Sequence, residues 1–312
     1  MRMETHVRKF AKLSLAAALF ATLFTACKKE DEPAPPAKPV ATNIEIGTAN
    51  NKRALIGRDF HFNADVIVSG KIAEVQFNIR QKASETYASQ WQLELKWDEY
   101  KGVKNTNVHK HFTIPANAPV GKYDCFFIVL DENGAKLEIK EELIINDPAT
   151  MPVDPKIGRD MISRGDSLIY YMDTWVEKEL IFKKNDVLKA HAQISEIKGD
   201  GILYTVLIKK KLNYHPESID QLDFSKVIVI TKVEHKGLPA SSKIATLKNI
   251  NGVWGGEQIT IGADKDGNEP SPNPVTGEKA WESGQYNLVI LYKNTSFNMS
   301  VYKSLPITID YK

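Results

Sequence analysis

Phe60-His61-Phe62-Asn63-Ala64-Asp65-Val66-Ile67-Val68 shows the pattern that governs most of this 312-residue chain, with an apolar side chain at every second position. Because successive side chains of a β-strand point to opposite faces, this period of two predicts a strand with one buried face. Residues 91–97 repeat the pattern, with Trp91, Leu93, Leu95 and Trp97 on one face. Convincing helical periodicity is scarce after Ala41, so the sequence predicts an all-β protein.

A repeated order of elements predicts two domains. Gly121-Lys122-Tyr123 opens an apolar strand that precedes a last strand at 143–145, and Gly284-Gln285-Tyr286 does the same before 306–309. A Gly-x-Tyr at the start of the penultimate strand resembles the tyrosine corner of immunoglobulin-like sandwiches. We therefore expect two immunoglobulin-like β-sandwich domains in tandem, at 41–147 and 161–312, joined by a linker at 148–160.

Three features of these domains lead to separate predictions. Cys125 aligns with Leu288 in the repeat, which favours a small buried hydrophobe over a catalytic thiol. The segment 262–281, with three prolines and three glycines, is expected to be too polar to pack. Within it, Asp264 to Asn268 resembles the start of a calcium loop, but the later ligand spacing fails and a hairpin loop is favoured.

The amino end predicts the compartment. Basic residues up to Lys12 precede the uncharged apolar run Leu13 to Ala26, the arrangement of a secretory signal peptide at 1–26. As a helix this run spans about 21 Å, short of a hydrocarbon core of roughly 30 Å. No later stretch approaches the length of a membrane-spanning helix, so a lipid is the expected anchor.

Cys27 is the predicted lipidation site. Leu23-Phe24-Thr25-Ala26-Cys27 resembles a bacterial lipobox, and the following Lys28-Lys29-Glu30-Asp31-Glu32 resembles the surface-export signal of Bacteroidota lipoproteins. Several acyl chains, such as palmitate, hold a protein on a membrane almost indefinitely. Residues 27–40 would then be a lipidated tether, and the protein an outer-membrane lipoprotein exposed at the cell surface.

Charge excludes one class of partner. The chain has 41 basic and 39 acidic residues, so no long-range field of one sign recruits a ligand. Clusters such as Lys209 to Lys211 are typical of solvated strand ends. We expect no binding to nucleic acid.

Residues 41–147 resemble the Bacteroidota lipoproteins grouped as domain-of-unknown-function family 4625. The resemblance lies in Ile56-Gly57-Arg58-Asp59-Phe60-His61-Phe62, Gly70-Lys71-Ile72-Ala73, His109 to Ala116 and Pro119-Val120-Gly121-Lys122-Tyr123-Asp124. It covers about a third of the chain, implies an immunoglobulin-like fold, and lends no activity.

Three histidines form the candidate metal site. His109 and His111 are two positions apart, so they share a strand face opposite Phe112 and Ile114, and His61 lies opposite the apolar face of its own strand. The three imidazoles should therefore point outward. With Asp59 or Asp65 nearby they could hold zinc or copper. Because the sequence does not fix the strand pairing, solvated surface histidines are the alternative.

No motif points to catalysis. The chain lacks G-x-S-x-G, H-E-x-x-H and a glycine-rich phosphate loop opening a helix, so we expect no enzyme and no organic cofactor. Asp166-Ser167-Leu168 resembles an O-glycosylation acceptor of Bacteroidota, and a place between the domains would leave Ser167 accessible.

Two functions follow. The first is a non-catalytic binding or accessory module that captures a surface protein, a glycan or a nutrient. The alternative is a metal or metal-complex binding lipoprotein that serves a TonB-dependent outer-membrane transporter. A sugar binder would need exposed tryptophans, whereas Trp91 and Trp97 share a face with leucines and should be in the core.

Overall fold

The computed structural model describes residues 37–177, 181–250 and 252–312. The predicted signal peptide, Cys27 and residues 28–36 of the predicted tether lie outside them. Lys38–Lys312 forms one compact unit. Regular structure in the described residues consists of strands and short 3-10 helices, which confirms the all-β prediction. None of the described segments is a helix with the length and apolarity needed to cross a membrane.

The N-terminal sandwich, residues 38–147, has two sheets. Its strands are β1 (Val40–Ile46), β2 (Arg53–Leu55), β3 (Asp59–Ile67), β4 (Ile72–Gln81), β5 (Gln92–Lys96), β6 (Asn105–Thr113), β7 (Gly121–Asp131) and β8 (Lys136–Asn146). One sheet has the order β1-β3-β6 and the other β2-β8-β7-β4-β5. Short 3-10 helices lie at Thr48–Asn50 and Asp98–Tyr100.

The predicted apolar faces fill the space between these two sheets. Phe60, Phe62 and the alternate residues up to Val68 are buried, which confirms the predicted strand. Phe62 packs on Phe77 and Phe127 of the opposite sheet, with ring centroids 4.9 and 4.7 Å apart. Trp97 is buried and Trp91 packs against the same cluster, as expected of a core face.

The C-terminal sandwich, residues 156–312, is one nine-stranded sheet that bends over its own core. Its strands are β9 (Lys156–Arg164), β10 (Ser167–Tyr171), β11 (Thr174–Trp175), β12 (Ile181–Lys183), β13 (Val187–Lys209), β14 (Val227–Ala245), β17 (Gln258–Thr260), β18 (Gly284–Asn294) and β19 (Met299–Asp310), with the hairpin β15 (Lys248–Ile250) and β16 (Val253–Gly255) apart from it. The order is β11-β10-β9-β13-β18-β19-β12, and β14 and β17 also pair with β13. Further 3-10 helices are Pro148–Thr150, Lys210–Leu212, Ile219–Gln221 and Gly277–Lys279.

The bend comes from irregular pairing in β13. Even-numbered residues from Leu188 to Ile194 face the core, but beyond the irregularity the core residues are odd-numbered, such as Leu203 and Leu207. Extra residues in a strand reverse which face its side chains take. Glu196 adopts a left-handed φ of 58° within this bulge. Both halves of β13 therefore bury their apolar face against one core.

The repeat predicted from Gly-x-Tyr is present in both sandwiches. The Tyr123 hydroxyl donates to the Pro119 carbonyl at 2.7 Å, and the Tyr286 hydroxyl donates to the Glu282 carbonyl at 3.0 Å, in each case four residues upstream. Cys125 is buried, and burial raises the pKa of its thiol to about 12, as suits a core residue.

The expectation that 262–281 does not pack is wrong. Val275 is buried, and Trp281 packs on the core and donates its indole N–H to the Ala263 carbonyl at 2.9 Å. Asp266 accepts a hydrogen bond from the Asn273 backbone at 2.7 Å and pairs with Lys279 at 3.2 Å. Interior polar contacts let a polar segment pack, which its composition does not reveal.

The segment 210–226 covers the outer face of the bent sheet. Tyr214, Ile219 and Leu222 pack on a small apolar cluster formed by β13, β14 and β18. Ser218 caps the 3-10 helix Ile219–Gln221, with its hydroxyl accepting from the Asp220 backbone. This segment holds a carboxylate, Glu217, against the N-terminal sandwich.

Candidate metal centre

The pairing of β3 with β6 places the three predicted histidines side by side. In this antiparallel register His61 is opposite His111, and Asn63 is opposite His109. Opposed residues of paired strands have Cβ atoms roughly 5 Å apart and share a face. The three ring centroids lie 5.2–5.3 Å from one another.

Glu217 of the C-terminal sandwich contacts all three imidazoles. Its Oε1 lies 2.8 Å from His109 Nε2 and 3.0 Å from His111 Nε2, and its Oε2 lies 2.6 Å from His61 Nδ1. One ligand atom from each of the four residues lies within 4.8 Å of the others. The predicted outward direction of the histidines is correct relative to their own sandwich. The alternative that the histidines are solvated surface residues is wrong for His61, because the C-terminal sandwich covers it.

Two atoms at the centre of this cluster lack hydrogen bonds. His61 Nδ1 and Glu217 Oε2 are buried, and neither has a hydrogen-bond partner although they are in ion-pair contact. Buried polar atoms are nearly always hydrogen-bonded, so an exception needs an explanation. A cation bonded to both atoms would satisfy both.

Electrostatics keep the metal-free cluster charged. Burial raises the pKa of Glu217, but hydrogen bonds from His109 and His111 and the charge of His61 outweigh it, and the net shift is downward. The carboxylates of Asp59 and Glu217 raise the pKa of His111 to about 10. Burial opposes a charged His61, yet Glu217 and Glu45 raise its pKa. In the metal-free protein, the raised pKa values of His61 and His111 and the lowered pKa of Glu217 therefore favour imidazolium–carboxylate pairs.

A second layer of residues fixes the orientation of the rings. Asp59 contacts His111 Nδ1 at 2.6 Å, and Glu45 contacts His61 Nε2 at 3.1 Å. Carboxylates in this position set the tautomer of a metal-binding histidine and increase its basicity. The Tyr302 hydroxyl lies 3.1 Å from His111 Nε2, and burial raises the pKa of that phenol. Of the two aspartates predicted nearby, Asp59 belongs to the cluster.

Asp65, the other predicted aspartate, does not reach the histidines. It accepts hydrogen bonds from Asn43 and Asn107, both at 2.8 Å.

Gln221 ties the two sandwiches together at the cluster. Its Nε2 donates to Glu45 Oε1 at 2.8 Å, and its Oε1 accepts from the Glu217 backbone N–H at 2.7 Å. The side chain that orients Glu45 thus also holds the main chain of Glu217.

Glu217 is the residue that sequence reasoning missed. It lies in a short loop 106 residues after His111, and no spacing rule connects the two. The only local signal is Ser218-Ile219-Asp220-Gln221, a capping-box pattern that indicates a helix start. That pattern predicts local order and not a partner.

Residues 25–146 match the family described as Domain of unknown function (DUF4625). The predicted resemblance over 41–147 is confirmed. The DUF4625 region therefore contains His61, His109 and His111, whereas Glu217 lies outside it. No curated protein matches the chain.

Three solved structures show a distant likeness to the chain. Dimeric latent PorU from Porphyromonas gingivalis is 9% identical with a TM-score of 0.31, and the match covers 91% of this chain and 21% of PorU. The C-terminal domain of the Streptococcus pyogenes antigen I/II-family protein AspA is 8% identical with a TM-score of 0.24, over 87% of this chain and 98% of that domain. The native conformation of E. coli alpha-2-macroglobulin is 10% identical with a TM-score of 0.24, over 88% of this chain and 16% of that one.

The remaining predicted sites lie apart from the histidines of the DUF4625 region. Ser167 is exposed, but it follows the β9–β10 turn inside the C-terminal sandwich and not between the sandwiches as expected. The predicted linker, 148–160, also contributes the start of β9 at Lys156. Asp266 of the calcium-like sequence is occupied by Lys279 and backbone N–H groups.

Proposed function

We propose that this protein binds a transition-metal ion, zinc or copper, at His61, His109, His111 and Glu217. The observation that carries the proposal is the convergence of three imidazole nitrogens and one buried carboxylate within 4.8 Å. Three histidines with a carboxylate are donors that suit zinc and copper. Metal binding by the three histidines was predicted from the sequence, and it stays a prediction.

The buried position of the ligands supports a metal over a simple surface ion pair. The side chains of His61 and Glu217 are 3% and 5% exposed. Charges removed from water are costly unless they are well paired. A divalent ion would bond directly to His61 Nδ1 and Glu217 Oε2, the two atoms that lack hydrogen bonds.

The proposed setting is the cell surface. The signal peptide and Cys27 support a lipid anchor in the outer membrane, which would carry the metal site beyond the cytoplasm. We infer a binding role without catalysis, in which the protein hands metal or a metal complex to an outer-membrane transporter of the TonB-dependent class.

A titration of metal-free protein with Zn²⁺ and Cu²⁺ by calorimetry tests the proposal. His109→Ala removes one ligand and should weaken binding by about 100-fold, roughly 2.7 kcal/mol. The matched control is His215→Ala, which removes an exposed imidazole near the site whose contact is with Asn213 at 3.3 Å. Equal, weak affinity in all three proteins would exclude the metal site.

A second candidate function is the binding of a protein partner by the β10–β11 hairpin. Leu168, Tyr171, Met172, Trp175 and Val176 are exposed large apolar residues within nine positions. Exposed apolar patches of this kind mark interaction surfaces. Copurification with an outer-membrane transporter should be lost in Met172→Lys while zinc affinity stays unchanged, and an unaffected yield would remove this candidate.

A further inference from the structure

A cavity of about 290 Å³ adjoins the candidate metal centre. Its lining includes His109, Glu217, Tyr302, Asn287, Val289 and Ser304. Val289 pairs with Ser304 on the neighbouring strands β18 and β19, so their outer face forms one wall. His109 and Glu217 belong both to the proposed ligand set and to this lining. A ligand in the cavity would therefore lie beside a bound metal.

The four proposed ligands are covered unevenly. His61 and Glu217 have side chains that are 3% and 5% exposed, whereas those of His109 and His111 are 36% and 29% exposed. The buried ligands close one side of the cluster and the more exposed ones leave the other side open. The cavity lies on the side of His109.

The charges at this place favour an anion of single charge. The ligand set itself, three neutral imidazoles and one carboxylate, leaves a divalent metal with a net charge of about +1. The carboxylates of Asp59 and Glu45 contact the far nitrogens of His111 and His61 and do not line the cavity. Glu217 is the one charged side chain other than histidine among the described residues that line the cavity. A monoanion bonded to the metal would neutralise the charge of the metal and its four ligands, which matters because uncompensated charges in a dry site are costly.

The lining also selects the shape of that anion. Tyr302, Asn287 and Ser304 offer hydroxyl and amide donors for an oxygen atom, while Val289, Pro216 and Tyr214 form apolar walls. The volume is at the lower limit of small-molecule sites, which begin at roughly 300 Å³. A carboxylate with a small apolar body matches donors, walls and size together.

We propose that a metal bound at His61, His109, His111 and Glu217 keeps one coordination position open toward this cavity, where a small monocarboxylate binds. This inference rests on the proposed function, since the carboxylate oxygen would bond to the metal. The protein would then take up a metal together with its organic ligand.

Co²⁺ as the bound metal gives a direct readout, because its visible absorption changes with coordination. Acetate, propionate and benzoate should each shift the spectrum of the Co²⁺-loaded protein. Ser304→Phe fills the cavity from an exposed position and should weaken benzoate binding by about tenfold or more while Co²⁺ affinity is unchanged. Ser271→Phe, at an exposed serine in the segment 262–281, is the matched control and should bind benzoate like the wild type.

The outcomes separate this inference from the proposed function. Co²⁺ spectra that no carboxylate alters, or that shift equally in Ser304→Phe, would overturn the open position while leaving metal binding intact. Absence of Co²⁺ bands in the wild type would overturn both. Asn287→Ala, which removes a donor without adding bulk, should weaken benzoate binding less than Ser304→Phe and serves if the larger side chain prevents folding.

Discussion

Asp266 and Glu217 are both buried carboxylates of the C-terminal sandwich, but their partners differ in kind. Asp266 pairs with Lys279 of its own segment at 3.2 Å and accepts backbone N–H groups from Asn268 and Asn273. Glu217 faces three imidazoles from the other sandwich. A lysine ammonium carries donors and no lone pair, so it closes the Asp266 cluster permanently. Imidazoles can exchange a proton for a metal, so the Glu217 cluster can accept the ion that we propose.

The difference teaches how to separate a structural buried charge from a candidate binding site. At Asp266 both carboxylate oxygens have hydrogen-bond donors. At Glu217, Oε2 and the facing His61 Nδ1 have none. The two carboxylates are similarly buried, and it is the unsatisfied, ligand-capable atoms beside Glu217 that point to a ligand.

The largest effect is expected from Lys279→Met, which leaves Asp266 buried without its cation. Loss of one partner of a buried pair should lower the free energy of unfolding by about 3 kcal/mol, since backbone donors remain. Urea unfolding measures this loss, and zinc affinity should not change. Lys265→Met, at an exposed lysine of the same segment, should be nearly neutral. Equal stability of the two variants would contradict the structural role of the Asp266 cluster.

Glu217→Ala should affect zinc affinity strongly and stability less, the reverse of Lys279→Met. Zinc affinity should fall by about 100-fold because one of four ligands is lost. The unfolding free energy of the metal-free protein should fall less than in Lys279→Met, because His61 and His111 can release their protons once the carboxylate is gone. Glu278→Ala, at an exposed glutamate, is the control. A stability loss as large as that of Lys279→Met with zinc affinity intact would make both clusters structural.

Asp59→Asn tests the orientation of a single ring. Loss of the carboxylate at His111 Nδ1 should weaken zinc by about tenfold, the lower end for residues that support ligands, because Asp59 is largely exposed. Asp65→Asn is a matched control on the same strand and face, and its carboxylate contacts asparagines instead of histidines. Equal affinities in the two variants would remove Asp59 from the site.

The dependence of stability on pH should change sign with metal, and this is the smallest effect expected. The metal-free protein holds a proton on His111 up to a pKa of about 10, against about 6.5 when unfolded. The stability from this proton is full below about pH 6.5 and is lost as pH rises toward 10. The lowered pKa of Glu217 contributes stability above about 4.5 that is lost as pH falls.

With saturating zinc the histidines are deprotonated in the folded state, so the stabilisation by zinc should grow from pH 6 to pH 8. Thermal unfolding of the wild type across that range, with and without zinc, measures both slopes. Glu217→Ala should make both slopes of stability against pH smaller. Parallel slopes with and without zinc would contradict exchange of protons for metal.

Local pattern predicted much of the fold. Alternation placed Phe60 and Phe62 in the core and His61 on the opposite face, and the Gly-x-Tyr repeat located Tyr123 and Tyr286 in their equivalent corners. Alternation could not show that the core-facing side of β13 reverses at Glu196. A bulge leaves the residues before and after it with the same period of two. Composition also misjudged 262–281, whose polar groups satisfy one another inside the protein.

The same distinction between local pattern and tertiary structure applies to the candidate site. Strand period by itself determined that His109 and His111 share a face and that His61 opposes a buried one, because side-chain direction in a strand depends only on neighbouring residues. The register that sets His61 against His111, and the contact that brings Glu217 to all three rings, were decided by tertiary structure alone. Strand pairing and the packing of two sandwiches depend on the complementarity of surfaces far apart in sequence, and no local periodicity encodes it.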